Sequence, residues 1–175
     1  KDGDLLQTDP WKIFEENLVE PNKYAKEKGA KLFNATAQRI WKGKPSMKKE
    51  FLKLLSRCQL NNDQANFIVE HHPTVIGTTD EIATNLYLLY EKTRFEGDGV
   101  SFRQIDKLLL PPEKIRDAFP LKEGTALTDN LDERRVRAFA ISIMEEAASE
   151  GHSLLPFSDV LDRLQAKAMD EPFPI

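Results

Sequence analysis

The sequence predicts an all-α protein: an array of short helical hairpins followed by a helix–corner–short strand–helix unit. Three observations predict it. Apolar residues recur at steps of three and four along most of the chain, the spacing that lines one face of a helix. Cap and turn residues (Asp, Asn, Ser, Thr, Gly, Pro) punctuate these stretches at short intervals. No succession of strand-like runs occurs, so the reading is roughly ten helices with short connections.

The most patterned stretch runs from Asp132 to Leu164. Val136, Phe139, Ala140, Ile143, Met144 and Ala147 form one apolar face. Asp129 or Asp132 is placed to cap its start, and Gly151 stands where a left-handed residue closes a helix. Ser153-Leu154-Leu155 reads as a short extended piece, because Pro156 disfavours helix at the residue before it. Ser158 is expected to cap a second helix carrying Val160, Leu161 and Leu164. Leu121–Leu131 is the longest unpatterned stretch, and a boundary placed there divides the chain into a hairpin array, 1–120, and the helix–corner–helix unit, 121–175.

From the start of the chain, Asp9-Pro10 opens a helix with Trp11, Ile13, Phe14 and Leu18 inward, Asp capping and Pro at the first helical position. Tyr24 and Ala25 are assigned to a short helix ending near Gly29. Ala30–Trp41 is read as one helix with Leu32, Phe33, Ala37, Ile40 and Trp41 inward. Gly43-Lys44-Pro45 breaks it. Ser46 is expected to cap the next helix, whose stripe is Met47, Phe51, Leu54, Leu55 and Cys58. Asn61 or Asn62 caps a helix with Ala65, Phe67, Ile68 and Val69 apolar, and Pro73–Thr78 is a loop. Thr79 is expected to cap one continuous helix to Arg94, with Ile82, Leu86, Leu89 and Tyr90 inward. Phe95–Val100 is a surface turn. Ser101 starts a short helix, and Pro111-Pro112 starts another that ends near Phe119-Pro120.

Length and composition suit one compact domain or two small ones. No apolar run approaches the roughly 20 residues needed to span a bilayer, no signal-peptide pattern opens the chain, and no membrane partner is expected. The opening Lys-Asp-Gly, without an initiator Met, suggests an excised piece or disordered leading residues. The single cysteine excludes an internal disulfide and fits a reducing, cytoplasmic setting. Cys58 lies on an apolar stripe and is read as core rather than as a nucleophile.

Net charge is −4, but it is unevenly distributed. Asn22–Arg57 holds eleven Lys or Arg against two acids, and Glu145–Ile175 holds seven acids against two bases. A basic segment in an acidic chain marks either an anionic partner or a solvated helix face. Its lysines Lys23, Lys31, Lys42, Lys44, Lys49 and Lys53 are the candidate nucleic-acid contacts. Two helix pairs, Pro21–Trp41 and Asn61–Arg94, have the helix–loop–helix rhythm that presents backbone N–H groups to phosphates. Gly29 and Gly77 are the places for close backbone approach.

Catalytic and metal signatures do not assemble. The chain contains neither GxxxxGK[ST] nor HExxH. Adjacent His71 and His72 point in different directions on a helix and cannot share a metal as an i, i+4 pair does. His152 has no nucleophile arranged beside it, and Glu145-Glu146 is read as a solvated face. The expectation is a non-catalytic chain with no catalytic and no metal residues.

Four segments together resemble a family: Leu60–Val69, Glu81–Glu91, Val100–Pro111 and Asp132–Pro156. Asn85-Leu86-Tyr87-Leu88-Leu89, Arg134-Arg135-Val136-Arg137-Ala138 and Gly151-His152-Ser153 are similar, in this order, to the region ahead of the motor in RecD/TraA-type superfamily 1 DNA helicases. These are relatives of the exodeoxyribonuclease V alpha chain. The resemblance covers about Leu54 to Leu164, and Leu86 stands where the family has Pro. It implies an accessory region of an ATP-dependent 5′-to-3′ helicase of DNA repair and recombination, contacting DNA or docking the motor. It also implies a winged-helix-like unit starting at the Gly-His corner, and it adds Arg134 and Arg135 to the nucleic-acid candidates. No nucleotide-binding residue carries over, so no cofactor is expected in this fragment; ATP and Mg belong to a downstream motor. The partners implied are DNA and the motor domains or another subunit. The competing reading is an all-α protein–protein scaffold without nucleic-acid contact, and a free-standing enzyme is the third.

Overall fold

A computed structural model describes residues 9–25 and 28–166. Among these residues ten α-helices follow one another: α1 Pro10–Val19, α2 Ala35–Gly43, α3 Ser46–Leu55, α4 Asn62–His71, α5 Thr79–Thr84, α6 Tyr87–Thr93, α7 Phe102–Leu109, α8 Glu113–Ala118, α9 Glu133–Ser149 and α10 Phe157–Ala166. The fold is all-α, and no strand occurs among the described residues. Ser153-Leu154-Leu155, expected to be extended, forms no strand because no neighbouring chain pairs with it. The part of the second helix pattern after Ala166 lies outside the described residues.

The chain forms two compact units and passes from one to the other at 120/121, but the units are not the two continuous pieces expected. One takes the described residues up to Ser56 together with Glu113–Pro120, so α8 groups with α1–α3. The other takes Arg57–Pro112 and the described residues from Leu121 on.

In the first unit, Asp9 accepts from Trp11 N and caps α1 as expected. The core is aromatic: Phe14 meets Trp11, Phe33 and Trp41 edge-on, and Trp11 stacks on Trp41 at 5.5 Å. Asn17 is buried at the C-terminal end of α1, and its Oδ1 accepts from the N–H groups of both Tyr24 and Ala25. Tyr24 and Ala25 are not helical, and the rest of the short helix expected there falls in part on residues 26 and 27, outside the described residues. The helix expected over Ala30–Trp41 is also divided. Asn34 adopts an extended conformation and accepts from Ala37 N at 2.9 Å, capping α2 and leaving only a 3-10 turn at Ala30–Leu32 before it. Pro45, not Ser46, is the N-cap of α3.

The second unit is built around α9, which packs against α6, α7 and α10. Its start is capped by Asp132, one of the two candidates. Phe139 on α9, Phe102 on α7 and Tyr87 on α6 form a continuous stack, at 5.0 Å and 5.5 Å. Three capping boxes start α4, α5 and α7, formed by Asn61 with Gln64, Thr78 with Glu81, and Ser101 with Gln104. The cap of α5 is thus Thr78 where Thr79 was expected, since only Thr78 has the glutamate three residues on. The helix expected to run unbroken to Arg94 divides at Asn85. Its side chain accepts from Tyr87 N, and its backbone leaves the helical region at φ −136°. Ser158 does not cap α10; it lies inside the helix and donates to Asp159.

The α6–α7 connection is held by one close approach. Thr93 Oγ1 donates to Leu89 O and accepts from Val100 N, and a Cβ on Gly99 would sit 2.3 Å from Thr93 O. Gly99 is therefore the residue that lets the loop fold back on the helix end.

Phe139 is 2% exposed at the centre of the aromatic stack. Phe139→Ala is expected to cost about 3–5 kcal/mol, measured by denaturant unfolding against the surface control Glu146→Ala. Gly151 takes φ +93° with open space around its Cα, so only backbone strain opposes a side chain. Gly151→Ala is expected to cost about 1 kcal/mol, read as a lower melting midpoint without loss of helical circular dichroism.

Candidate nucleic-acid interface

Arginine and lysine separate into two roles. Arg135, a candidate contact on sequence grounds, is 0% exposed. Its Nε and Nη2 donate to the two carboxylate oxygens of Asp106 at 2.8 and 3.0 Å, and Nη1 donates to Asn130 O. Tyr87 Oη donates to the same carboxylate at 2.7 Å. Burial, with the Asp106 carboxylate beside it, pushes the Tyr87 phenol well above its ordinary pKa, so it stays a proton donor. Arg134 is spent as well. Its Nε and Nη2 bind Asp132, and its remaining donors reach the carbonyls of Thr84, Gly124 and Ala126. The Arg134 bonds hold the Asp132 carboxyl well below the usual carboxylate range. The structure makes both arginines internal braces: all five N–H donors of Arg134 are engaged, and Arg135 is completely buried, out of reach of a phosphate.

The lysines differ. Lys23 pairs with Glu16 at 2.7 Å and lies over the Tyr24 ring, and this bond raises its pKa. Lys53 reaches Glu15 and Glu50 at 3.5 and 3.6 Å and lies over Trp11 at 6.0 Å. Lys49, one helical turn earlier, lies over Trp41 at 5.6 Å. Lys31 is exposed on the 3-10 turn before α2. Lys42 and Lys44 stand at the α2–α3 corner with Lys48, in the first turn of α3, and none of the three makes an ion pair with the described residues. Arg39 is exposed one turn before the corner. The first turn of α3 carries no acid and no side-chain cap, so the positive end of its dipole adds to the same field.

Lys42, Lys44, Lys48 and Lys49 thus flank or lie in one short connection along the chain, and of these Lys49 lies over Trp41 of the Trp11–Trp41 stack. Lys23 and Lys31 stand on other segments. The engagement of Lys49 and Lys53 with two indoles was not legible in sequence, because each pair joins different helices. The two glycine corners also part company: Gly29 has ordinary helical angles, φ −65°, whereas Gly77 has φ +122°.

Apolar groups accompany the cations. Leu32, Ile40 and Met47, expected inward, are 73%, 53% and 60% exposed. Division at Asn34 of the helix expected over Ala30–Trp41 takes Leu32 off the α2 stripe.

Cys58 is completely buried, and burial pushes its thiol up to about 12, which bears out the core reading. His72 Nε2 lies 3.1 Å from Thr79 Oγ1, and His71 stacks on Phe67. No group of three or more His, Cys, Asp or Glu residues able to hold a metal occurs among the described residues. No helix among them is long and apolar enough to cross a membrane. Comparison with known protein families gives no match, and comparison with curated proteins and with solved structures gives none either.

The buried pair gives a measurable expectation. Arg135→Leu leaves Asp106 buried without its partner and is expected to cost about 3–5 kcal/mol. The double variant Arg135→Leu/Asp106→Leu is expected to lose less than the sum of the single changes, measured as a double-mutant cycle by urea unfolding.

Proposed function

We propose that this chain is a non-catalytic accessory region of a RecD/TraA-type DNA helicase and that the α2–α3 corner meets the nucleic-acid backbone. The observation that carries the nucleic-acid part is that Arg39, Lys42, Lys44, Lys48 and Lys49 flank or lie in one two-residue connection, Lys44-Pro45. The acids nearest in sequence are Glu27 before the group and Glu50 after it. Cations gathered without interleaved acids bind phosphate without regard to base sequence. The helicase part rests on the ordered resemblance of the Asn85–Leu89, Arg134–Ala138 and Gly151–Ser153 segments. ATP and Mg would act only in a motor beyond this chain.

The second reading, a protein-docking scaffold, is favoured by the exposure of Ile40 and Met47 beside the lysines, since a phosphate backbone offers nothing apolar to cover them.

One experiment separates the two. Each phosphate contact adds about 0.9 to the slope of log K against log salt for duplex DNA and about 0.7 for single strands. Lys42→Gln/Lys44→Gln/Lys48→Gln is expected to weaken binding to labelled oligonucleotides equally for all sequences and to flatten that slope by about 2–3. Lys92→Gln/Lys107→Gln, in the other unit, is expected to leave it unchanged. Absence of binding at low salt, or equal loss in both variants, favours the scaffold reading.

A further inference from the structure

The aromatic residues beside the α2–α3 corner decide which form of nucleic acid it suits. Single strands are held by backbone charge together with bases stacked on exposed aromatic faces, and each such stack strengthens binding several-fold or more. A duplex keeps its bases paired inside and presents its backbone. The availability of ring faces therefore separates the two.

Trp11 and Trp41 are the only tryptophans of the chain, and both are half-buried. Their rings stack at 5.5 Å with 10° between planes, so each takes one face of the other. Near-parallel rings at this spacing leave no room for an ammonium between them. The ammonium groups of Lys49, 5.6 Å from the Trp41 centroid, and Lys53, 6.0 Å from the Trp11 centroid, accordingly lie over the outer faces. Phe14 stands edge-on to both indoles, at 5.2 and 5.1 Å. The other aromatic side chains of this unit offer no more. Among the described residues, Phe14, Phe33 and Phe119 are half-buried and Phe51 is buried. Tyr24, 50% exposed, has Lys23 over its ring at 5.3 Å and donates its hydroxyl to Glu16, a carboxylate that repels the phosphates of a strand.

What remains is charge. Lys42, Lys44 and Lys48 make no ion pair with the described residues. A duplex carries a phosphate charge about every 1.7 Å along its axis, roughly twice the density of one strand. It also holds those charges on a stiff frame, so a few cations meet them without ordering a flexible chain.

We infer that the α2–α3 corner takes duplex DNA by its phosphate backbone and discriminates against single strands, because Lys49 and Lys53 cover the indole faces on which a base would stack. This rests on the nucleic-acid reading of the corner given above and adds the class of strand to it.

The test titrates the full chain with three labelled ligands of equal length at one low salt concentration: a duplex, one of its strands, and an abasic strand with the same backbone. The duplex is expected to bind about tenfold or more tighter than either strand, and the ordinary and abasic strands are expected to bind alike. Both tryptophans sit in the stack, so their emission reports a base arriving there, and the ordinary strand is expected to quench it no more than the abasic one. Lys49→Ala/Lys53→Ala uncovers the outer indole faces. In that variant the ordinary strand is expected to gain about fivefold or more over the abasic strand, with helical circular dichroism and melting midpoint near those of the parent. An ordinary strand that binds as tightly as the duplex, or that quenches tryptophan emission where the abasic strand does not, overturns the inference and leaves the nucleic-acid reading of the corner standing. A ratio of ordinary to abasic binding that the double substitution leaves unmoved overturns it too. Failure of all three ligands to bind overturns that reading and this inference with it.

Discussion

The carboxylate of Asp106 is the point on which the second unit depends. It receives two bonds from Arg135 on α9 and one from Tyr87 on α6, and it sits on α7. Three helices are thus joined through one buried group. A buried charge is costly unless its lone pairs are filled, and here the filling donors come from the two helices that must pack beside α7. The Tyr87–Phe102–Phe139 stack uses the same three helices. Apolar stacking favours their association without fixing rotation, whereas the bidentate Arg135–Asp106 contact requires a defined orientation of α9 against α7.

Helix existence was largely readable from the sequence, and helix limits were not. The apolar period of α9 is long, and its buried residues Phe139, Ile143 and Ala147 lie where the pattern puts them. Met144, on the edge of the same stripe, is about half exposed. The failures come from side chains that compete for backbone groups. Asn34 and Asn85 each capture an N–H group that a periodic reading hands to the helix ladder. Asparagine inside a periodic stretch is the common feature, and the capping boxes of α4, α5 and α7 are written as cap-x-x-Glu/Gln in the sequence itself. Cap position was therefore readable at Thr78 from Glu81, and helix division at Asn85 was not, because a solvent-facing asparagine inside a helix gives the same pattern.

The candidate interface was legible in part for a different reason. Counting charge finds the Asn22–Arg57 segment but is blind to what each charge touches. Lys23 and Lys53 have carboxylate partners supplied by α1 and α3, whereas Lys42, Lys44 and Lys48 have none among the described residues. Surface pairs such as Lys23–Glu16 are weak, so they reduce the local field without locking the lysine away. The cations of the corner therefore act together, and the flanking ones act against a partly neutral background.

The same count also merges two cations with different physics. On α9, Arg134, Arg135 and Arg137 look like a basic run, yet Arg134 and Arg135 are spent on carboxylates and carbonyls of their own unit. Arg137 reaches Glu91 at 2.9 Å, with the glutamate buried and the arginine exposed. A planar guanidinium can fill a carboxylate and reach further carbonyls at once, and it carries a weaker hydration shell into the interior. An ammonium on a flexible stem is a compact charge that can be set over an aromatic face, as those of Lys49 and Lys53 are over Trp41 and Trp11. In this chain the Arg134–Arg135 pair accordingly serves the fold, whereas Lys42, Lys44 and Lys48 make no ion pair with the described residues. An arginine cluster read from sequence as a nucleic-acid contact has to be discounted wherever its helix also faces a buried aspartate.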